Sequence, residues 1–260
     1  MKRILRALPV AALMALLSLP GFAAQNQSQR GPDATDAAIL QSVQKQIADH
    51  PSFKDIKASV EDRLVTLTGS VDNFYNKLRA GRILGSANDN AQGIRNLLTV
   101  NTPSVPDQEL QSTLADRLRY DRIDRGIMFN NFTLGVNNGN VTLGGQARTY
   151  ADKDSALDIV ENTKGVKNVV DNVQVLPTSI FDDQLRVRVA RAIYGNSTLQ
   201  RYANDPQAPI RIVVNNGHVT LDGVVDTRLD KQVAGSQANS VSGVFSVKNN
   251  LVVANQEAKK

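Results

Sequence analysis

Cysteine is absent from the 260 residues, and histidine occurs only as His50 and His218. The first absence excludes a disulfide framework. The second leaves too few ligands for a His/Cys metal cluster and ties any pairing of a nucleophile with histidine to one of two positions. His218 directly follows the turn dipeptide Asn216-Gly217 and His50 precedes Pro51, and no serine or aspartate signature accompanies either. Gly-x-Gly-x-x-Gly, a phosphate loop ending in Lys-Ser/Thr and Gly-x-Ser-x-Gly are all missing. No two of the 17 glycines stand three apart, so the Gly-x-x-Gly clamp of small RNA-binding modules is missing too. The acidic residues that cluster, Asp152, Asp154 and Asp158, share a charged helix with Lys153 and read as a solvated surface. The sequence therefore offers no catalytic residue, no metal ligand and no cofactor site.

Long apolar runs are also lacking, with one exception. Lys2, Arg3 and Arg6 precede an apolar stretch from Leu8 to Leu19, which ends in Pro20, Gly21 and the small pair Ala23 and Ala24. This is the form of a secretory signal peptide, spanning 1–23 with cleavage after Ala23, because cleavage after Ala24 would place bulky Phe22 three positions upstream of the cut. The apolar run of about 12 residues is short for a membrane span. With no cysteine at the cleavage site, no lipid anchor is expected, and the periplasm is the expected location ahead of full secretion. Subtracting the three basic residues of the signal from the formal charge of +5 leaves +2. That balance is too weak to argue for nucleic acid.

What the chain does have is repetition. Gly69, Gly145 and Gly223 are each followed eight residues on by a lysine (Lys77, Lys153, Lys231), three later by an alanine (Ala80, Ala156, Ala234) and sixteen later by an asparagine (Asn96, Asn172, Asn250). A spacing kept three times marks three copies of one unit. The units run over 36–101, 107–176 and 182–253, between a disordered linker at 24–35 and a disordered tail at 254–260. About 70 residues is near the lower limit for an independent core, so docking between units is expected.

Each copy opens on an aspartate followed by apolar residues four apart: Asp36 then Ile39, Val43, Ile47; Asp107 then Leu110, Leu114, Leu118; Asp182 then Leu185, Val189, Ile193. That spacing predicts an amphipathic helix, with the aspartate accepting the free amides of its first turn. Strict alternation follows, as in Phe132, Leu134, Val136 then Val141, Leu143, and Ile210, Ile212, Val214 then Val219, Leu221. Asn138-Gly139 and Asn216-Gly217 between these runs predict type I′ hairpins. Asp62-Arg63 takes that place in the first copy, whose turn must differ or be more strained. A second helix carries the repeated alanine in close approach to the sheet. Gly165 and Gly243 are expected to cap that helix in the left-handed conformation, with Asp89 replacing them in the first copy, and a closing strand follows. The fold class is thus α+β: three tandem small domains, each helix-strand-strand-helix-strand, with two helices packed on a three-stranded sheet.

A glycine at the hairpin exit, the lysine and alanine of the second helix, then Gly-Val and Asn-x-Val/Leu in the closing strand resemble the BON domain of bacterial osmotically inducible and nodulation proteins. The resemblance covers residues 36 to 253, and the first copy diverges at Asp89 and at its turn. It implies a non-enzymatic periplasmic or envelope protein, whose relatives are associated with osmotic and envelope stress and with phospholipid surfaces. It supplies no catalytic residues.

One asymmetry among the copies is legible. With Leu185, Val189 and Ile193 buried, rotation of 100° per residue places Val187, Arg191 and Tyr194 on the opposite side of the helix, flanked by Arg188. The first copy has Gln41, Lys45 and Ala48 outward, and the second Ser112, Asp116 and Arg119. Val187, Arg188, Arg191 and Tyr194 are therefore the candidate contact, either with anionic phospholipid headgroups or with a neighbouring unit. The expectation is a non-catalytic envelope protein that contacts phospholipid and supports stress tolerance. The alternative is an interaction scaffold or chaperone-like factor for exported proteins.

Overall fold

The computed structural model describes residues 34–122, 127–205 and 210–254. The segment read as a signal peptide lies outside them, as does the tail from 255 onward. The first unit comprises α1 (Ala34–Ala48), β1 (Ile56–Glu61), β2 (Leu64–Val71), α2 (Phe74–Gly85) and a closing strand in two pieces, β3 (Gly93–Asn96) and β4 (Thr99–Val100). The second has α3 (Asp107–Tyr120), β5 (Asn131–Asn137), β6 (Asn140–Ala147), α4 (Tyr150–Glu161) and an unbroken β7 (Asn168–Val175). The third has α5 (Ile180–Tyr194), a short α6 (Gln200–Ala203), β8 (Ile210–Asn215), β9 (His218–Val225), α7 (Arg228–Asn239), and again a divided closing strand, β10 (Ser246–Asn249) and β11 (Val252–Val253).

The hairpin exit strand is central in every unit: β2, β6 and β9 pair antiparallel with the preceding strand and parallel with the closing one. Parallel pairing requires a crossover, and the second helix is that crossover. Its start is fixed by a side-chain cap, Asn73, Thr149 or Thr227, accepting the amide three residues on. Ala80, Ala156 and Ala234 are fully buried against the sheet, next to the stripes Ile39/Val43, Leu110/Leu114 and Leu185/Val189/Ile193 of the first helices. The α+β architecture expected from the sequence is the one observed.

Three local expectations are corrected. The opening aspartates do not cap their own helices. Asp36 accepts from the amides of Asp62 and Arg63 (3.1 and 2.9 Å), Asp107 from Asn138 and Gly139 (2.7 and 3.0 Å), and Asp182 from Asn216 and Gly217 (2.8 and 2.9 Å). Each carboxylate thus clamps the hairpin turn of its unit, α1 extends back to Ala34 into the expected linker, and Ser179 caps α5. The first unit builds the same turn with Asp62 and Arg63 at φ +49° and +63°, so it is the more strained of the two options its sequence left open.

Gly165 and Gly243 likewise do not cap. The helices end at Glu161 and Asn239 with right-handed caps, and these glycines, at φ +94° and +96°, turn the chain into the closing strand. No residue near Asp89 takes a positive φ. Finally, the asparagines spaced alike in sequence are not equivalent in space. Leu67, Leu143 and Leu221 face Asn96, Asp171 and Asn249, one position earlier than Asn172 and Asn250, because the first unit has one more residue before its closing strand. Asn96 and Asn249 donate to the carbonyls of Lys77 and Lys231 (2.8 and 2.7 Å). Asp171 instead pairs with the Lys153 ammonium at 2.7 Å.

The units dock. Phe74 of α2 is buried in the core of the second unit, and Thr102 accepts from the Gly165 amide at 2.8 Å. Phe129, in a single 3-10 turn (Ile127–Phe129), packs against the core of the third unit. Arg148 pairs with Asp183 at 3.2 Å, and the Asn131 amide donates to Asp222 at 2.9 Å.

Candidate functional site

α5 is held by its buried stripe and by Arg186, which is almost fully buried and donates to Asp183 (2.6 Å) and to the Val214 carbonyl (2.7 Å). Asp183 also takes Arg148, so this flank of α5 is committed to docking with the second unit. The flank that remains open carries Val187, Arg188 and Arg191, all exposed.

Tyr194 is half-buried instead. Its hydroxyl donates to the Ile210 carbonyl at 2.7 Å, its ring packs against the core of the third unit, and burial pushes its pKa up to about 12. From the last turn of α5, a side chain of this length reaches over the end of β8, which a helical wheel drawn on an isolated helix does not represent. Tyr194 therefore shares the helix face of Val187 and Arg191 but is half-buried and tied to β8, whereas Val187, Arg188 and Arg191 are exposed.

The same surface contains three side chains that sequence reasoning did not single out. Ile180 is 78% exposed and Phe181 44%, at the start of α5, and Phe245 is 71% exposed. Ile180 and Val187, seven apart, lie on one stripe of the helix. The Phe181 ring and the Arg188 guanidinium lie over Gly243, where a Cβ would stand 3.1 and 3.4 Å from them. Phe245 covers Gly217 in the hairpin turn and meets the His218 ring edge-on at 5.9 Å. Of the large exposed apolar residues among those described, Ile180, Phe181, Val187, Val224, Leu229, Phe245 and Val252 all belong to the third unit. Comparing copies position by position would have exposed this signal, since Phe245 stands where the second unit has Lys167 and the first Gln92, each bonded through its amide to a turn carbonyl.

Nothing in this region assembles chemistry. Among the described residues no cluster of His, Cys, Asp and Glu is placed to hold a metal ion, and no helix is long and apolar enough to cross a membrane. His50 bonds the Gln46 carbonyl and stacks on Phe53, and His218 bonds Ser246. Both imidazoles serve local structure.

The geometry can be set beside known proteins. A protein of Anaplasma centrale, described as uncharacterized and encoded in the gshII 5′ region, is 28% identical over 143 residues, 54% of this chain and 94% of its own length. Two solved structures align over most of the chain at low similarity. The C-terminal domain of CdsD, a type III secretion structural protein of Chlamydia trachomatis, covers 83% of this chain and 96% of its own at 13% identity and a TM-score of 0.24. The periplasmic domain of PrgH from S. typhimurium covers 80% and 99% at 9% identity and a TM-score of 0.19. The BON domain model matches three times in succession, at residues 35–102, 106–177 and 182–255. That family is periplasmic, envelope-related and of phospholipid-binding type. With matches over most of its length, this chain belongs to the BON domain family, as three tandem copies.

Proposed function

We propose that the protein is exported to the periplasm with its signal peptide removed. There it acts as a non-catalytic binding protein that contacts phospholipid surfaces through its third unit and supports osmotic or envelope stress tolerance. The observation that carries this reading is the outward surface of α5, where Ile180, Phe181, Val187 and Phe245 stand exposed beside Arg188 and Arg191. Apolar side chains entering the headgroup region, with arginines at phosphate level, are the chemistry of an interfacial contact. The corresponding tip of the second unit differs, with Lys167 in place of the outermost phenylalanine and Val105 folded over Gly165. Liposome flotation with anionic and neutral vesicles tests the proposal. The protein floats with anionic vesicles, and Arg188→Glu with Arg191→Glu abolishes flotation. Unchanged flotation of that double variant, or equal flotation with neutral vesicles, favours the scaffold reading, in which the same surface takes exported proteins.

A further inference from the structure

A cleft of about 550 Å³ lies between the second and third units, walled by α3, the start of β5 and the back of the β8–β9 hairpin. Three guanidinium groups line it, from Arg119, Arg122 and Arg211. Arg122 is held in place, donating to Ser155 and to the Asp152 carbonyl, pairing with the Asp152 carboxylate at 3.6 Å and lying 4.8 Å from the Phe132 ring centre. Arg119 is exposed and Arg211 is largely buried.

Among the described residues Arg211 forms no ion pair. One guanidinium nitrogen, Nη1, is buried without a hydrogen bond. Its cross-strand neighbour is Asp222, but the Asp222 carboxylate is taken by the side-chain amides of Asn131 (2.9 Å) and Asn250 (3.0 Å). Burial, together with the positive charges of Arg119 and Arg122, brings the Arg211 pKa down to about 10, against opposing contributions from Tyr194 and Asp205. A buried donor facing the exposed Arg119 across a cavity is satisfied by an oxyanion, and planar guanidinium groups match phosphate geometry.

We propose that this cleft binds a phosphate-class oxyanion, with Arg211 and Arg119 as its contacts and Arg122, paired with Asp152, forming part of its wall. The ligand chemistry is a phosphoryl group, either the free ion or the headgroup of a single phospholipid molecule. This site is distinct from the α5 surface, and the proposal stands without the vesicle reading.

Calorimetric titration of the purified protein with inorganic phosphate, and separately with short-chain phosphatidylglycerol kept below its micellar concentration, tests the proposal against chloride at matched ionic strength. Saturable one-to-one binding of phosphate marks the free ion as sufficient, and saturable binding of the lipid alone marks the headgroup. Either result supports the site, provided that Arg119→Glu weakens it by about fivefold or more. Arg211→Met has the larger effect. Arg119 is exposed, so its variant keeps the test valid if Arg211→Met misfolds. Absence of saturable binding by both ligands, or a change below about fivefold in Arg119→Glu, overturns the proposal. Phe245→Lys leaves this affinity unchanged, so the cleft and the vesicle-binding surface fail separately.

Discussion

At the tip where the hairpin turn meets the loop after the second helix, the second and third units put different side chains on the same backbone. In the second, Val105 and Leu110 cover Gly165 and the Lys167 stem lies on Gly139. In the third, Phe181 and Arg188 cover Gly243 and the Phe245 ring lies on Gly217. The backbone is held alike by Asp107 and by Asp182, each accepting two turn amides, and by left-handed glycines at matching places. Once the turn is secured from below, the residues resting on top are free to serve other ends. The second unit presents an ammonium to water, and the third presents two aromatic rings and an arginine. A framework that does not depend on its outermost side chains is what lets one copy of a repeat specialise.

The strongest way to break this comparison is at the clamp. Asp182 is 1% exposed whereas Asp107 is partly exposed, so the same substitution leaves unequal numbers of dry, unpaired amides. Asp182→Ala is expected to lower stability by about 3 kcal/mol and Asp107→Ala by about 1 kcal/mol, read as shifts in the urea midpoint. Equal losses would mean that burial of the clamp does not matter.

The tips can then be exchanged. Phe245→Lys, which gives the third unit the residue of the second, is expected to weaken binding to anionic vesicles about tenfold, since burying a phenylalanine is worth about 2 kcal/mol and lysine recovers part of this from the headgroups. Lys167→Phe is expected to strengthen binding by a smaller factor. Vesicle sedimentation at fixed lipid composition measures both, and an unaffected Phe245→Lys would remove this ring from the contact.

The smallest effect concerns the ends of the crossover helices, Glu161 in the second unit and the uncharged Asn239 in the third. Burial, then Asp158, Asp171 and Asp154, raise the Glu161 pKa to about 7, partly opposed by Arg82. An acid whose folded-state pKa lies above its unfolded value stabilises the fold below the unfolded value and loses that contribution as pH rises through about 7. Glu161→Gln is therefore expected to gain on the order of 1 kcal/mol at pH 8, allowing for solvent screening, and almost nothing at about pH 4, below the unfolded value. A gain at both pH values would point to helix propensity instead.

Much of the fold was legible because its signals are local. Apolar residues four apart, alternation around Asn-Gly and the thrice-kept glycine are each consequences of a helix, a hairpin and a strand exit, whatever surrounds them. At Gly145 a Cβ would stand 2.1 Å from the Asn131 carbonyl oxygen, and no neighbour could relieve that contact without moving backbone. The candidate contact was legible only in part. Val187, Arg188 and Arg191 are outward, as a helical wheel requires, but Tyr194 reaches β8, and Phe245 lies in a loop where no periodicity marks it.

By itself the sequence determined the number of units, their element order and the absence of cysteine, because these follow from spacing and composition along the chain. Tertiary structure decided what the polar side chains do. Asp36, Asp107 and Asp182 each find amides 26 to 35 residues away, Asp171 and Asn249 rather than Asn172 and Asn250 face the central strand, and Arg211 lies in an interunit cleft, its cross-strand aspartate taken by others. The physical reason is that a buried hydrogen-bonding group is satisfied by whatever folding brings within 3 Å of it, and chain spacing does not encode that distance.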